Sequence, residues 1–214
     1  MENPNLKALI IGSVLGDGHI QKTQSKTQKC RLRVAQGPDQ KTYLEAKYYL
    51  LSSICPSAPK YDHRNNTYHF YTSYCSEIKE YHDLLYAQTE TGFRKTIQVS
   101  LKGFLEDPLA LAIWYCDDGS KRQDSDACRI ATHSYNLEEI QCLRWILWEN
   151  FQIPSHVVKG GRSLKGKHQW YVLSLSARDG GFTRLRELIL PIVELEFPSM
   201  LYKLGSIKSR PRND

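Results

Sequence analysis

The sequence predicts an α+β fold built from two pseudo-symmetric copies of one αββαββα plan. Three observations carry that reading. Two apolar helical runs each end in Asp-Gly: KALIIGSVLGDGHI over 7–20 and LALAIWYCDDGS over 109–120. The aspartates that end them, Asp17 and Asp118, stand 101 residues apart in a chain of 214. After each comes the same order of signals: a basic strand, a helix, a second strand pair and a closing helix. The copies meet near Ser100 to Glu106, dividing the chain into halves 1–102 and 103–214.

The elements follow in order. Asn5 to Leu15 is an apolar helix, and CRLRVAQ (30–36) alternates strictly, as a half-buried strand does. Lys41 to Ile54 carries Tyr43, Leu44, Lys47, Tyr48 and Leu51 at helical spacing. TYHFYTS (67–73) is aromatic and β-rich, and Cys75 to Gln88 reads as a further helix. Pro108 to Cys116 opens the second copy, followed by a short strand at Arg129 to Thr132. Leu137 to Phe151 is helical, with Asn136 as N-cap ahead of Glu138 and Glu139. QWYVLSLS (169–176) is the strongest strand signal, and Gly181 to Leu190 is a helix that Pro191 is expected to stop.

Composition narrows the class. Apolar residues make up 41% and charged residues 24%, the balance of an ordinary globular chain. The net charge of +6 permits an anionic partner without requiring one. Six scattered cysteines (30, 55, 75, 116, 128, 142) form no C-x-x-C pair. They read as free thiols in a reducing compartment, which excludes a disulfide scaffold and argues against zinc. No basic, apolar leader opens the chain, and the longest apolar runs are too short to span a bilayer. A soluble intracellular protein is expected, in an organelle or a prokaryotic cytoplasm.

The paired helices carry the chemistry. Gly12 and Gly16 lie four apart on one face, and Ala112 and Cys116 do the same in the second helix. Small residues at that spacing let two backbones approach closely. Packed side by side, the helices bring Asp17 and Asp118 out together at two negative helix ends. Like charges there resist joint ionisation, and a divalent cation relieves the conflict. Hard carboxylate oxygens suit Mg²⁺, with Mn²⁺ as a substitute. Asp117 has no counterpart, since Gly16 holds its place, and is expected beside the site or in solvent.

Charge is also unevenly placed. Gln21 to Gly37 holds five basic residues (Lys22, Lys26, Lys29, Arg31, Arg33) and no acid. His156 to Arg178 holds five more (Lys159, Arg162, Lys165, Lys167, Arg178), again without an acid. Each stretch is strand and loop of its own copy. Alternation puts Arg31 and Arg33 on one face, as befits a ribbon lying along a nucleic-acid groove.

IIGSVLGDG (10–18) and LAIWYCDDG (111–119) resemble the LAGLIDADG motif of homing endonucleases, and both keep the final Asp-Gly. With the repeat order, the chain is similar over nearly its whole length to the single-chain, two-motif branch. The resemblance implies two LAGLIDADG halves, motif helices packed at the centre, and an antiparallel saddle sheet in each half lying on DNA. It implies metal-dependent cleavage of both strands of a long asymmetric target across the minor groove by an intron-encoded monomer. Asp17 and Asp118 would hold the metal, with the carbonyls of Gly16 and Asp117 as further ligands. Lys95 in FRKTI and Lys203 in LYKLG would stabilise phosphate charge or polarise water. Gln36 and His133, at strand ends, would order water. Arg31, Arg33, Arg64, His69, Tyr71, Arg129, Lys167, Gln169 and Tyr171 are the candidate DNA contacts.

Three other readings compete with cleavage. An RNA maturase acting on its host intron could use the same fold, alone or beside cleavage. A non-cleaving DNA-binding regulator has no need of two aspartates. An aspartic hydrolase would show Asp-Thr/Ser-Gly in an all-β setting.

Overall fold

The structure is a computed structural model that describes residues 4–23, 29–162 and 169–205. Helix α1 (Pro4–Leu15) leads into β1 (His19–Lys22) and β2 (Cys30–Gln36). Helix α2 (Lys41–Leu51), strands β3 (Lys60–Asp62) and β4 (Thr67–Tyr71) and helix α3 (Glu77–Leu85) follow. A hairpin, β5 (Tyr86–Thr89) and β6 (Gly92–Lys95), then joins to α4 (Pro108–Asp118). Next come β7 (Gly119–Lys121), β8 (Ala127–Ala131), α5 (Leu137–Phe151), β9 (His156–Arg162), β10 (Gln169–Ser176) and α6 (Gly181–Glu196). The order αββαββα therefore occurs twice, as the α+β reading expected. Two antiparallel four-stranded sheets result, ordered β1-β2-β4-β3 and β7-β8-β10-β9.

Local chemistry places the ends of the helices. Asp107 caps α4, its carboxylate accepting from the Leu109 amide at 2.8 Å, and Pro108 supplies a pre-set first turn. Asn136 and Glu139 form a reciprocal capping box on α5. Glu139 also accepts from Thr96 at 2.6 Å and Arg94 at 2.9 Å, which ties α5 to the segment after α3.

Three expectations are corrected. Helix α6 does not stop at Pro191 but runs on to Glu196. The lost hydrogen bond costs about 3 kcal/mol. Pro191 faces solvent, and the added turns bury Val193 and bring in Phe197, each contributing about 1.5–3 kcal/mol. The helix expected through Gln88 ends at Leu85, because Tyr86 to Lys95 folds back as a hairpin. The helix from Lys41 ends at Leu51, and Ser52–Ile54 tightens into a 3₁₀ turn.

Helices α1 and α4 pack against each other at the centre of the core. A Cβ on Gly12 would lie 2.6 Å from the Ala110 carbonyl and 2.9 Å from the Ile113 Cβ. One on Gly16 would lie 2.5 Å from the Asp117 Cβ. The close approach on α4 thus runs through Ala110, Ile113 and Asp117, and not through Ala112 and Cys116. The phase is set by the motif: Gly12 and Gly16 align with Ile113 and Asp117, one position on from the two small residues. Trp114 and Tyr115 are fully buried, and the Tyr115 hydroxyl donates to the Lys203 carbonyl at 2.9 Å.

Candidate active site

The two Asp-Gly ends emerge beside one another. Asp17 is exposed, in the turn that carries the chain from α1 into β1, and Asp118 is half-buried as the last residue of α4, which β7 follows directly. Burial, then the charges of Asp17 and Asp117, push the Asp118 carboxyl up to about 7, with Lys95 and Lys203 opposing. This is the electrostatic conflict expected of paired carboxylates at two helix ends.

Two lysines reach the site from unlike elements. Lys95, at the end of β6, donates to the Gly16 carbonyl at 2.6 Å. Lys203, in a 3₁₀ turn at Pro198–Lys203, donates to the Cys116 and Asp117 carbonyls at 2.6 and 2.9 Å. Burial depresses both ammonium groups, against the pull of the aspartates. The two lysines are thus matched in role though one lies on a strand and the other in a turn. The carbonyls of Gly16 and Asp117, expected as further metal ligands, each accept one ammonium group beside the Asp17 and Asp118 carboxylates. Two carboxylates suffice for Mg²⁺, which keeps water or phosphate oxygens as its other ligands.

Asp117 is not in solvent. Its carboxylate and the Lys47 ammonium are wholly buried and joined at 2.8 Å. Burial pushes the Asp117 carboxyl up, and Lys47 pulls it back. Gln36 donates from Nε2 to Asp17 Oδ2 and to Asp117 Oδ1, each at 3.0 Å. The Asp17 amide donates to Asp117 Oδ2 at 3.2 Å. Gln36 therefore spends both N–H groups on carboxylates. Lys47 was legible only as a lysine on the apolar face of α2, a position that calls for a buried partner.

His133 stays outside this group. Strand register makes Arg33 and Arg129 equivalent, since they face His19 and Ser120, the residues after each Asp-Gly. Three positions on, the mate of Gln36 is Thr132. Thr132 is buried and donates to the Tyr171 carbonyl at 2.9 Å. His133 is exposed and packs edge-on to Trp170 at 4.2 Å.

The sheets place the remaining candidates. Arg31, Arg33, His69 and Tyr71 share the outer face of the first sheet, with Arg33 opposite Tyr71. The Arg31 guanidinium lies 4.0 Å over the Tyr71 ring and donates to Gln21 at 2.9 Å. Arg64 is exposed in the β3–β4 turn, and Arg129 is exposed on the outer face of the second sheet. Gln169 begins β10 opposite Arg162. Tyr171 is a correction: it shares the phase of Leu173 and packs against the core. Lys167 lies outside the described residues.

Comparison with known proteins fits this geometry. The sequence pattern of the LAGLIDADG DNA endonuclease family matches residues 7–180. DNA endonuclease I-ChuI of Chlamydomonas applanata is 33% identical over 202 residues, covering 87% of this chain and 89% of that protein. Cytochrome b mRNA maturase bI2 of Saccharomyces cerevisiae is 26% identical over 216 residues, covering 95% of this chain. The chain spans about half of that maturase, 48% of its length. The solved structure of the homing endonuclease I-WcaI bound to its DNA recognition sequence superposes with a TM-score of 0.76 at 19% identity, covering 96% of this chain and 88% of that one. A structure of I-DmoI in complex with its target DNA in the presence of Mn shares the fold at a TM-score of 0.59 and 17% identity, covering 89% of this chain and 98% of that one. The chain belongs to the LAGLIDADG DNA endonuclease family.

Proposed function

We propose that this chain is a site-specific homing endonuclease that cuts both strands of a long, asymmetric duplex across the minor groove. The observation that carries the reading is the paired helix end: Asp17 and Asp118 side by side, each flanked by a half-buried lysine. We read 1–102 and 103–214 as the two halves of a monomer, each laying its sheet along the duplex. The name of a further relative, the intron-encoded endonuclease ai4 of Dictyostelium discoideum, 28% identical over 139 residues, supports an intron as host element.

Asp17 and Asp118 would hold a divalent cation, Mg²⁺ first and Mn²⁺ as substitute. Such an ion, when bound, lowers the pKa of water and stabilises the leaving oxygen in phosphodiester hydrolysis. Lys95 and Lys203 supply positive charge at the two helix ends, where the phosphates would lie. Gln36 fixes the Asp17 carboxylate. Arg31, Arg33, His69, Tyr71 and Arg129 face the duplex from the sheets, and cation and ring together suit phosphate and base edges.

The test is cleavage of a randomised duplex library in Mg²⁺ and in chelator. Discrete double-strand cuts in Mg²⁺ alone support the reading. The likeness to a maturase favours one second reading, assistance to intron RNA folding on the same scaffold. Selection of a structured RNA with no cut DNA would overturn the nuclease and favour the maturase.

A further inference from the structure

The Asp17 and Asp118 sides of the site are built unlike one another. Register pairs Gly16 with Asp117 and Gln36 with Thr132. In the outer helices Tyr43, Leu44, Lys47 and Leu51 are buried on α2, and Glu139, Ile140, Leu143 and Leu147 at the same spacing on α5, which pairs Lys47 with Leu143. One set of mates, Gly16, Thr132 and Leu143, carries no charge. The other, Asp117, Gln36 and Lys47, carries two charges and is bonded together.

The bonds run in one direction, towards Asp17. Lys47 meets Asp117 Oδ1 at 2.8 Å with neither side chain exposed. Gln36 spans from that same oxygen to Asp17 Oδ2 at 3.0 Å on each side. Both acceptors are carboxylate oxygens, so the amide must present its two N–H groups there. Asp117 Oδ2 takes the Asp17 amide at 3.2 Å. Asp17 is thereby held at its backbone and at one carboxylate oxygen. Among the described residues, no side chain donates to the Asp118 carboxylate. Lys47 also cancels a charge that would otherwise stand beside Asp17 in a dry interface.

We propose that Lys47 and Asp117 are positioning residues for Asp17, acting through Gln36, and that they make the Asp17 and Asp118 sides of the site unequal in cutting the two strands. A buried ion pair contributes little net stability over an uncharged pair of similar shape, so its persistence here is better explained by what it orients. The inference rests on the nuclease reading, deepens it, and has one arm that does not need it.

On the duplex selected from the library, each strand is labelled and its cutting followed in Mg²⁺. The double variant Lys47→Met/Asp117→Asn deletes both charges and keeps the shapes. It should slow one strand at least tenfold and the other less than threefold, with duplex affinity in Ca²⁺ unchanged. Gln36→Met leaves the ion pair in place and should give the same one-strand loss. Equal slowing of both strands, or none, in either variant overturns the inference while leaving the nuclease standing. The arm without DNA follows Gln36 side-chain amide exchange by ¹⁵N NMR. Those protons should exchange at least tenfold more slowly than those of exposed Gln98, and at least fivefold of that protection should go in the folded double variant. A Gln36 amide that exchanges like Gln98, or keeps its protection in the variant, overturns the inference whether or not DNA is cut.

Discussion

The two four-stranded sheets share an order and a register and present different outer faces. On the first, Arg31, Arg33, His69 and Tyr71 stand together. Their register mates on the second are Ala127, Arg129, Val172 and Ser174. At these four positions the first sheet is cationic and aromatic, and the second is small with one arginine. The centre repeats the contrast, with Asp117, Gln36 and Lys47 against Gly16, Thr132 and Leu143. The fold is conserved between the halves because it rests on buried apolar positions that both keep. The polar chemistry has diverged, which suits the asymmetric duplex proposed as target.

The largest expected effect breaks the contrast at the centre. Lys47→Met leaves Asp117 buried without its counter-charge and should cost about 3–5 kcal/mol in urea unfolding. Leu143→Met, its mate, conserves volume in an apolar core and should cost less than about 1.5 kcal/mol. Similar costs at both positions would mean that the halves are electrostatically alike.

Much of the fold and part of the site were legible in the sequence, the difference between the halves was not, and the limits have physical causes. Element order, the N-cap at Asn136 and the face shared by Arg31 and Arg33 follow from local patterns of capping and alternation. The motif glycines, aspartates and both lysines could be placed because spacing and resemblance fix them. Three things required the third dimension. The Lys47–Asp117 bond joins residues 70 apart on different helices. The mate of Gln36 is Thr132 because of strand register, which the short β7 and β8 strands conceal in the sequence. Tyr171 turned inward because alternation along β10 is counted from Leu173, not from the basic loop before it.

The next prediction sharpens the contrast between the faces. Arg31→Ala with Arg33→Ala should weaken duplex binding about 100-fold and lower the slope of log affinity against log salt by about 2. Arg129→Ala should lower it by about 1. Fluorescence anisotropy over a salt series measures both, and equal slopes would level the two faces. A smaller effect concerns the helix seam. Gly16→Ala drives a methyl to 2.5 Å from the Asp117 Cβ and should cost about 2 kcal/mol in thermal unfolding. Gly37 has open space around its Cβ position, so Gly37→Ala should shift stability by less than about 0.5 kcal/mol.

The last effect is a dependence on pH at one position of α5 that its mate on α2 lacks. Burial works against Glu139, but its bonds from Thr96, Asn136 and Arg94 win and hold its carboxyl below the usual glutamate range. A depressed carboxyl contributes stability above its unfolded pKa and loses it as pH falls through the folded value. Its mate on α2 is Tyr43, uncharged throughout that range. Glu139→Gln should therefore cost about 1 kcal/mol at neutral pH and less in acid. Urea melts at pH 7 and pH 3.5 check this, and a cost that does not shrink in acid would contradict it.

The central claim is that Asp17 and Asp118 form one shared divalent site between the motif helices. Mn²⁺ binding, followed by electron paramagnetic resonance for the protein bound to its selected duplex, tests it most directly. Asp17→Asn and Asp118→Asn should each weaken Mn²⁺ binding at least tenfold while duplex affinity in Ca²⁺ stays within threefold. Undiminished Mn²⁺ binding in either single variant would contradict a shared site.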